Sequence, residues 1–89
     1  MRDPAFKEKL TEHAAKVIAL LEANGERYGD DMLNLFKEEY CIMHTVAKCL
    51  RVRNMIKIKS SDVETIKEES RDILGYALLL YAIQEGLIK

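Results

Sequence analysis

Residues 61–85 read SDVETIKEESRDILGYALLLYAIQE, and this stretch decides the fold. Val63, Ile66, Ser70, Ile73, Ala77, Leu80 and Ile83 recur at steps of three and four, the period of a helix with one inner, mostly apolar face. Ser61-Asp62-Val63-Glu64 in front of it has the pattern of a capping box, and Gly86 stands near its end. Leu74, Leu78, Leu79 and Tyr81 add apolar surface on further sides.

Working outward, the same period fills the rest of the chain. Asp3-Pro4 is an N-cap followed by proline at the first helical position. Phe6, Leu10, Ala14, Val17, Leu20 and Leu21 then form a helical stripe that Asn24-Gly25 is expected to stop. Asp30 or Asp31 can cap a second helix, whose inner stripe reads Leu35, Phe36, Glu39, Ile42, Met43, Val46, Cys49 and Leu50. Basic residues close it, among them Arg51, Arg53, Lys57 and Lys59, which suit the negative end of a helix. No strand pattern or repeat is present. The expectation is an all-α chain with three helices over about 4–23, 31–57 and 62–85.

The 89 residues and 10.2 kDa leave room for one domain, residues 1–89. A second helix of about 27 residues would be about 40 Å long. A compact domain of this size has a radius of gyration of about 12 Å. That helix must therefore bend, break or project. Three helices on short loops also leave the third one partly uncovered. A second copy is expected to complete a four-helix or larger bundle, as a homodimer or homotetramer.

Apolar residues make up 48% and charged residues 33%, so the chain is globular rather than disordered. The 14 basic and 15 acidic residues nearly cancel, which argues against direct nucleic-acid binding as the main task. The longest apolar run, Ala77 to Ile83, is far short of a membrane span, and the first residues lack the apolar core of a signal peptide. A cytoplasmic location follows as the expectation. Cys41 and Cys49 fit it as reduced, mostly buried thiols, too far apart along one helix to pair with each other.

Some polar residues stand where apolar ones are expected. Glu39 lies on the apolar stripe of the second helix. Glu68, Glu69 and Asp72 crowd three carboxylates into five residues, and Tyr76 shares the face of Glu69 and Asp72. If the second and third helices form an antiparallel hairpin turning near Lys59-Ser60, facing positions sum to about 119. Lys48-x-x-Arg51 then lies opposite Glu69-x-x-Asp72. This arrangement has two readings. One is a salt-bridge ladder that fixes helix register. The other is a mouth in which carboxylates hold a hard cation such as magnesium and the two bases hold phosphate oxygens. From Tyr40 to Ser61 there is no acid and there are five bases, which suits an anionic ligand or plain dipole compensation. His44, one turn before Lys48, would border that mouth.

Glu68-Glu69-Ser70-Arg71-Asp72-Ile73-Leu74-Gly75-Tyr76-Ala77 resembles the E-x-x-D helix of the MazG-like all-α nucleotide pyrophosphohydrolases. The ending Asp72-x-x-Gly75-Tyr76-Ala77 is closer to their nucleotide-modification-associated branch. Tyr28-Gly29-Asp30 and Lys48-x-x-Arg51 match two further motifs of that branch in order, so the likeness covers about residues 26–84. It implies a dimeric or tetrameric protein acting on a nucleoside triphosphate, with magnesium-dependent release of pyrophosphate and metal-activated water as nucleophile. By matching position, Glu69 and Asp72 would be magnesium ligands and Glu68 a third ligand or base. Lys48 and Arg51 would grip phosphates, and Tyr76, Tyr28 and Asp30 would contact substrate. The family's E-x-x-E pair is missing from the second helix, where only Glu38 and Glu39 offer acids. Glu39 would then be a metal ligand only in a site completed by another subunit. Three functions remain open at this level: a pyrophosphohydrolase, a non-catalytic nucleotide-binding relative, and a helical protein-interaction module whose polar seam only sets register.

Overall fold

The computed structural model describes residues 1–88, apart from the side chains of residues 27 and 28. Those residues form four helices joined by short turns and contain no strand. The elements are α1 (Phe6–Tyr28), α2 (Asp31–Phe36), α3 (Glu38–Lys57) and α4 (Val63–Gln84). α3 and α4 form the antiparallel hairpin on which everything else rests, with α1 laid across α4 and α2 against α3.

The hairpin turn is built by local hydrogen bonds. At the end of α3 the chain enters the left-handed region at Lys59 (φ 55°), and the Ser60 N–H donates to the Met55 carbonyl at 2.9 Å. Asp62 then starts α4: its carboxylate accepts from the Thr65 N–H at 3.1 Å and from the Thr65 hydroxyl at 2.7 Å. The cap is therefore Asp62 with Thr65 at the third helical position, not the Ser61–Glu64 box expected from the sequence.

The long second helix breaks. Lys37 sits at φ 49°, ψ −118°, a conformation that side-chain-bearing residues rarely adopt, and separates α2 from α3. The Lys37 N–H still donates to Leu33 O at 2.8 Å, and the Cys41 N–H donates to Lys37 O at 3.2 Å. The chain thus turns a corner without orphaning these donors. Breaking there lets Leu33 turn inward, where it is one of the few buried apolar side chains.

α1 runs to Tyr28, past the expected stop at Asn24-Gly25, and ends where Gly29 takes φ 76°. Gly25 serves close approach: a Cβ on it would lie 3.3 Å from Asp30 Oδ2. At its other end α1 begins at Phe6, two residues beyond Pro4, and the Asp3 carboxylate caps the preceding turn by accepting the Ala5 N–H at 2.8 Å. α1 meets α4 at Gly75, where an added Cβ would stand 3.3 Å from Leu21 Cδ2.

The core is thin. Val17, Leu33 and Cys41 are the buried apolar residues among those described, and Glu69 is buried with them. Cys49 is exposed, contrary to the expectation for both thiols. The stripe Ile42, Met43, Val46 and Leu50 does not face α4 but points away from it, with Met43 67% exposed. The opposite face of α3, carrying Tyr40, Cys41, His44 and Lys48, is the one that packs. The reason lies in α4: its buried Glu69 needs a cation, and the Lys48–Arg51 face of α3 sets two of them level with Glu69 and Asp72. The accessible surface is 7256 Å², against about 5300 Å² for a monomer of 10.2 kDa. The radius of gyration is 14.5 Å rather than about 12 Å. No described helix is long and apolar enough to cross a membrane.

Candidate functional site: a charged seam beside a groove

The polar seam lies midway along the hairpin. Lys48 Nζ stands 3.1 Å from Glu69 Oε2 and 3.2 Å from Asp72 Oδ2, so one ammonium bridges two carboxylates a turn apart. Arg51, one turn further along α3, donates from Nη1 to Glu69 Oε1 at 3.0 Å. Helix period puts both cations on one face of α3 and both acids on one face of α4. The antiparallel hairpin then sets them in register.

Burial grades these four groups. The Glu69 side chain is 11% exposed and Lys48 21%, whereas Asp72 is 40% and Arg51 60% exposed. Burial pushes the Glu69 carboxyl up, but the attraction of Lys48 and Arg51 together outweighs it and holds the group below its ordinary value. Lys48 shows the mirror case: burial pulls its ammonium down, and Glu69 with Asp72 more than reverse this. Both stay charged near neutrality. Glu69 Oε2 is buried without a hydrogen-bond donor aimed at it, because the Lys48 ammonium is near enough for an ion pair but lies off the bonding direction.

An aromatic cluster adjoins the seam. The His44 imidazole stacks on the Tyr76 ring, 4.8 Å between centroids at 11°, and Tyr40 meets both rings at 4.4 and 5.8 Å. Burial first, and then the neighbouring Tyr40 phenol and the charge of Asp72, push the Tyr76 hydroxyl up to about 12. It is therefore a protonated hydroxyl at neutral pH.

Tyr40 and Tyr76 form part of the wall of a groove of about 790 Å³ between α1, α2 and α4. Val17, Leu21 and Leu33 contribute apolar surface to it. Asp30, Asp31, Arg71 and Asp72 bring charge to it. Asp72 thus belongs to both features, holding Lys48 on one side and bordering the groove on the other.

Of the residues singled out in the sequence, the structure brings together Lys48, Arg51, Glu69 and Asp72 in the seam, and Asp30, Asp72 and Tyr76 around the groove. Glu68 is exposed and makes none of the seam's ion pairs. Glu39 is exposed on the outward stripe of α3, more than two turns from Lys48. The side chain of Tyr28 lies outside the described residues. His44 is a stacking partner of Tyr76. Sequence reasoning missed Tyr40 and Arg71. The hairpin register that sets Lys48 opposite Asp72 also sets His44 opposite Tyr76, with Tyr40 one turn before His44, so a signal for Tyr40 was present, whereas none marked Arg71.

The seam's oxygen donors do not suit a resident magnesium ion. Among the described residues no three His, Cys, Asp or Glu side chains gather closely enough to hold a metal. The two carboxylates that do lie together, Glu69 and Asp72, are already neutralised by Lys48 and Arg51. A hard divalent cation needs about six oxygens, and two cations in contact with the available ones oppose it. The set Glu39, Glu69 and Asp72 is not assembled within one chain, so these residues do not fit a magnesium cage there. No protein-family model, curated protein or solved structure matches the chain.

Proposed function

We propose that this chain is a non-catalytic nucleotide-binding protein that works as a self-associated helical bundle. The base and sugar occupy the groove, with the rings of Tyr40 and Tyr76 as the stacking wall. Exocyclic amino groups of a base donate to the rim carboxylates Asp30 and Asp72. The phosphates lie over the seam, where Arg51 keeps guanidinium donors in solvent and Lys48 is shared between two acids. The observation that carries this reading is the double position of Asp72, paired with Lys48 at 3.2 Å and bordering a groove of about 790 Å³. That volume lies within the range of small-molecule sites, about 300–1,000 Å³. The motif likeness to MazG-like proteins supports the ligand class. The missing carboxylate cage is why turnover is left out of the reading. Self-association, as a homodimer or homotetramer, is supported by a surface well above that of a monomer of this mass. The free thiols of Cys41 and Cys49 suit a reducing compartment such as the cytoplasm.

Calorimetry and thermal shift with nucleoside triphosphates, each with and without magnesium, test the proposal. The expected result is a raised melting temperature with at least one nucleotide, corresponding to about 2.7 kcal/mol at a hundredfold excess over Kd. Asp72→Asn should weaken it. A chain that no nucleotide stabilises is a helical interaction module, and the reading fails. Magnesium-dependent pyrophosphate release by the wild type, lost in Asp72→Asn, would replace it with the pyrophosphohydrolase that the resemblance implies.

A further inference from the structure

We infer that the outward face of α3 is a self-pairing surface: two copies of the chain join through antiparallel α3 helices, with Val46 of one opposite Leu50 of the other and Glu39 opposite Lys57. This specifies the self-association included in the proposed function. Four observations carry it. Met43, Val46 and Leu50 form a stripe on the face of α3 turned away from α4, and they are 67%, 52% and 57% exposed. The stripe is charged at its two ends with opposite sign. Glu39 lies on it in the first turn of the helix, and Arg53 and Lys57 lie on it in the last turns. None of these three has an ion-pair partner among the described residues. Finally, the surface in excess of a monomer's is about 1,900 Å² per chain, more than the roughly 800 Å² per partner of a standard interface.

Charge order selects the orientation. Parallel pairing would set Glu39 against Glu39 and Lys57 against Lys57. Antiparallel pairing about a two-fold axis sets each acid against a base. It also satisfies geometry, because Glu39 with Lys57, Met43 with Arg53, and Val46 with Leu50 all share one midpoint, at Lys48. One register therefore sets Val46 against Leu50 at the centre, puts Met43 beside the aliphatic stem of Arg53 and closes both ends with Glu39–Lys57 ion pairs, and a two-fold axis makes every contact twice. The Lys48 side chain itself lies on the opposite face, bound to Glu69 and Asp72, and does not obstruct the pairing. The two seams sit back to back on α3, one polar and intramolecular, the other apolar and between copies.

Sedimentation equilibrium of the full chain tests this. The wild type should dimerise at micromolar concentration, to twice the 10.2 kDa chain mass. Leu50→Glu, at an exposed position, should stay helical by circular dichroism and weaken the dimer at least about thirtyfold, by burying an unpaired carboxylate against Val46 of the other copy. Glu39→Lys and Lys57→Glu should each weaken it about threefold to thirtyfold, since each ion pair occurs twice. The double variant Glu39→Lys/Lys57→Glu should recover the wild-type constant. A monomeric wild type overturns both this seam and the self-association of the proposed function. A dimer indifferent to Leu50→Glu, or charge variants without mutual rescue, overturns the seam alone.

Discussion

Arg51 donates to Glu69 at 3.0 Å across a separation of 18 residues, and the two sit at the centre of the α3–α4 hairpin. Glu69 is the most buried ionised group described, and its charge is tolerated because Arg51 takes one oxygen and Lys48 lies beside the other. A mismatch of one residue between the helices would turn one member of this set away from its partners. The seam therefore selects one register for a hairpin whose apolar contacts alone are few.

Removing the buried charge should cost more than removing its exposed partner. Glu69→Gln leaves Lys48 half-buried with only Asp72, and should lower the unfolding free energy by about 1–3 kcal/mol in urea titrations. Arg51→Ala removes a group that is 60% exposed and should cost less than about 1 kcal/mol. The reverse order would mean that the seam does not anchor the hairpin.

The same pair sets an acid limit. The Glu69 carboxyl is held below its ordinary 4.5 in the folded chain, so its contribution is present above that pH and is lost as pH falls through the folded value. Lys48, raised above 10.5, contributes below that pH and loses its contribution as pH rises through its folded value. The stability gap between wild type and Glu69→Gln should be full at pH 7 and should shrink on acidification below 4.5. A gap independent of pH would remove the charge from the explanation.

Lys37→Gly should stabilise the chain. At φ 49° and ψ −118° a side chain costs free energy that glycine avoids, of order 1–3 kcal/mol for such a residue. Part of that gain is lost to the greater freedom of glycine in the unfolded chain. A rise of about 1 kcal/mol is expected by thermal or urea unfolding, and a Lys37→Val variant should fall instead.

Gly75→Val should loosen α1. A Cβ there already stands 3.3 Å from Leu21 Cδ2 and 3.9 Å from Val17 Cγ1, and two further methyl groups require α1 to move. A loss of about 1–3 kcal/mol is expected. Amide exchange in α1 should rise more than in α3, because the hairpin does not depend on this contact.

How much of this was legible before folding can be read from single residues. Val63, Ile66 and Ile73 announce α4 by their spacing, since a helix of this length needs only local period and caps. Lys48 opposite Asp72 was legible too, because a short turn and a rigid period fix which residues face each other. Lys37 was not. Its neighbours carry no glycine or proline, and the helical pattern runs through it, so nothing local marks a break that serves the burial of Leu33. The inner face of α3 was also misassigned. Met43, Val46 and Leu50 form an apolar stripe on the helix, and period alone cannot say what lies across from them.

The sequence by itself determined the all-helical class, the hairpin of α3 and α4 and the charges that meet across it, because these depend on intervals along the chain. Only the tertiary structure decided that Tyr40 and Tyr76 wall a groove and that the apolar stripe of α3 is left outside. Those outcomes depend on how a helix rotates about its own axis when two of its faces compete for one partner. Here the competition is settled by the cost of burying Glu69 without a cation, a term that no local pattern contains.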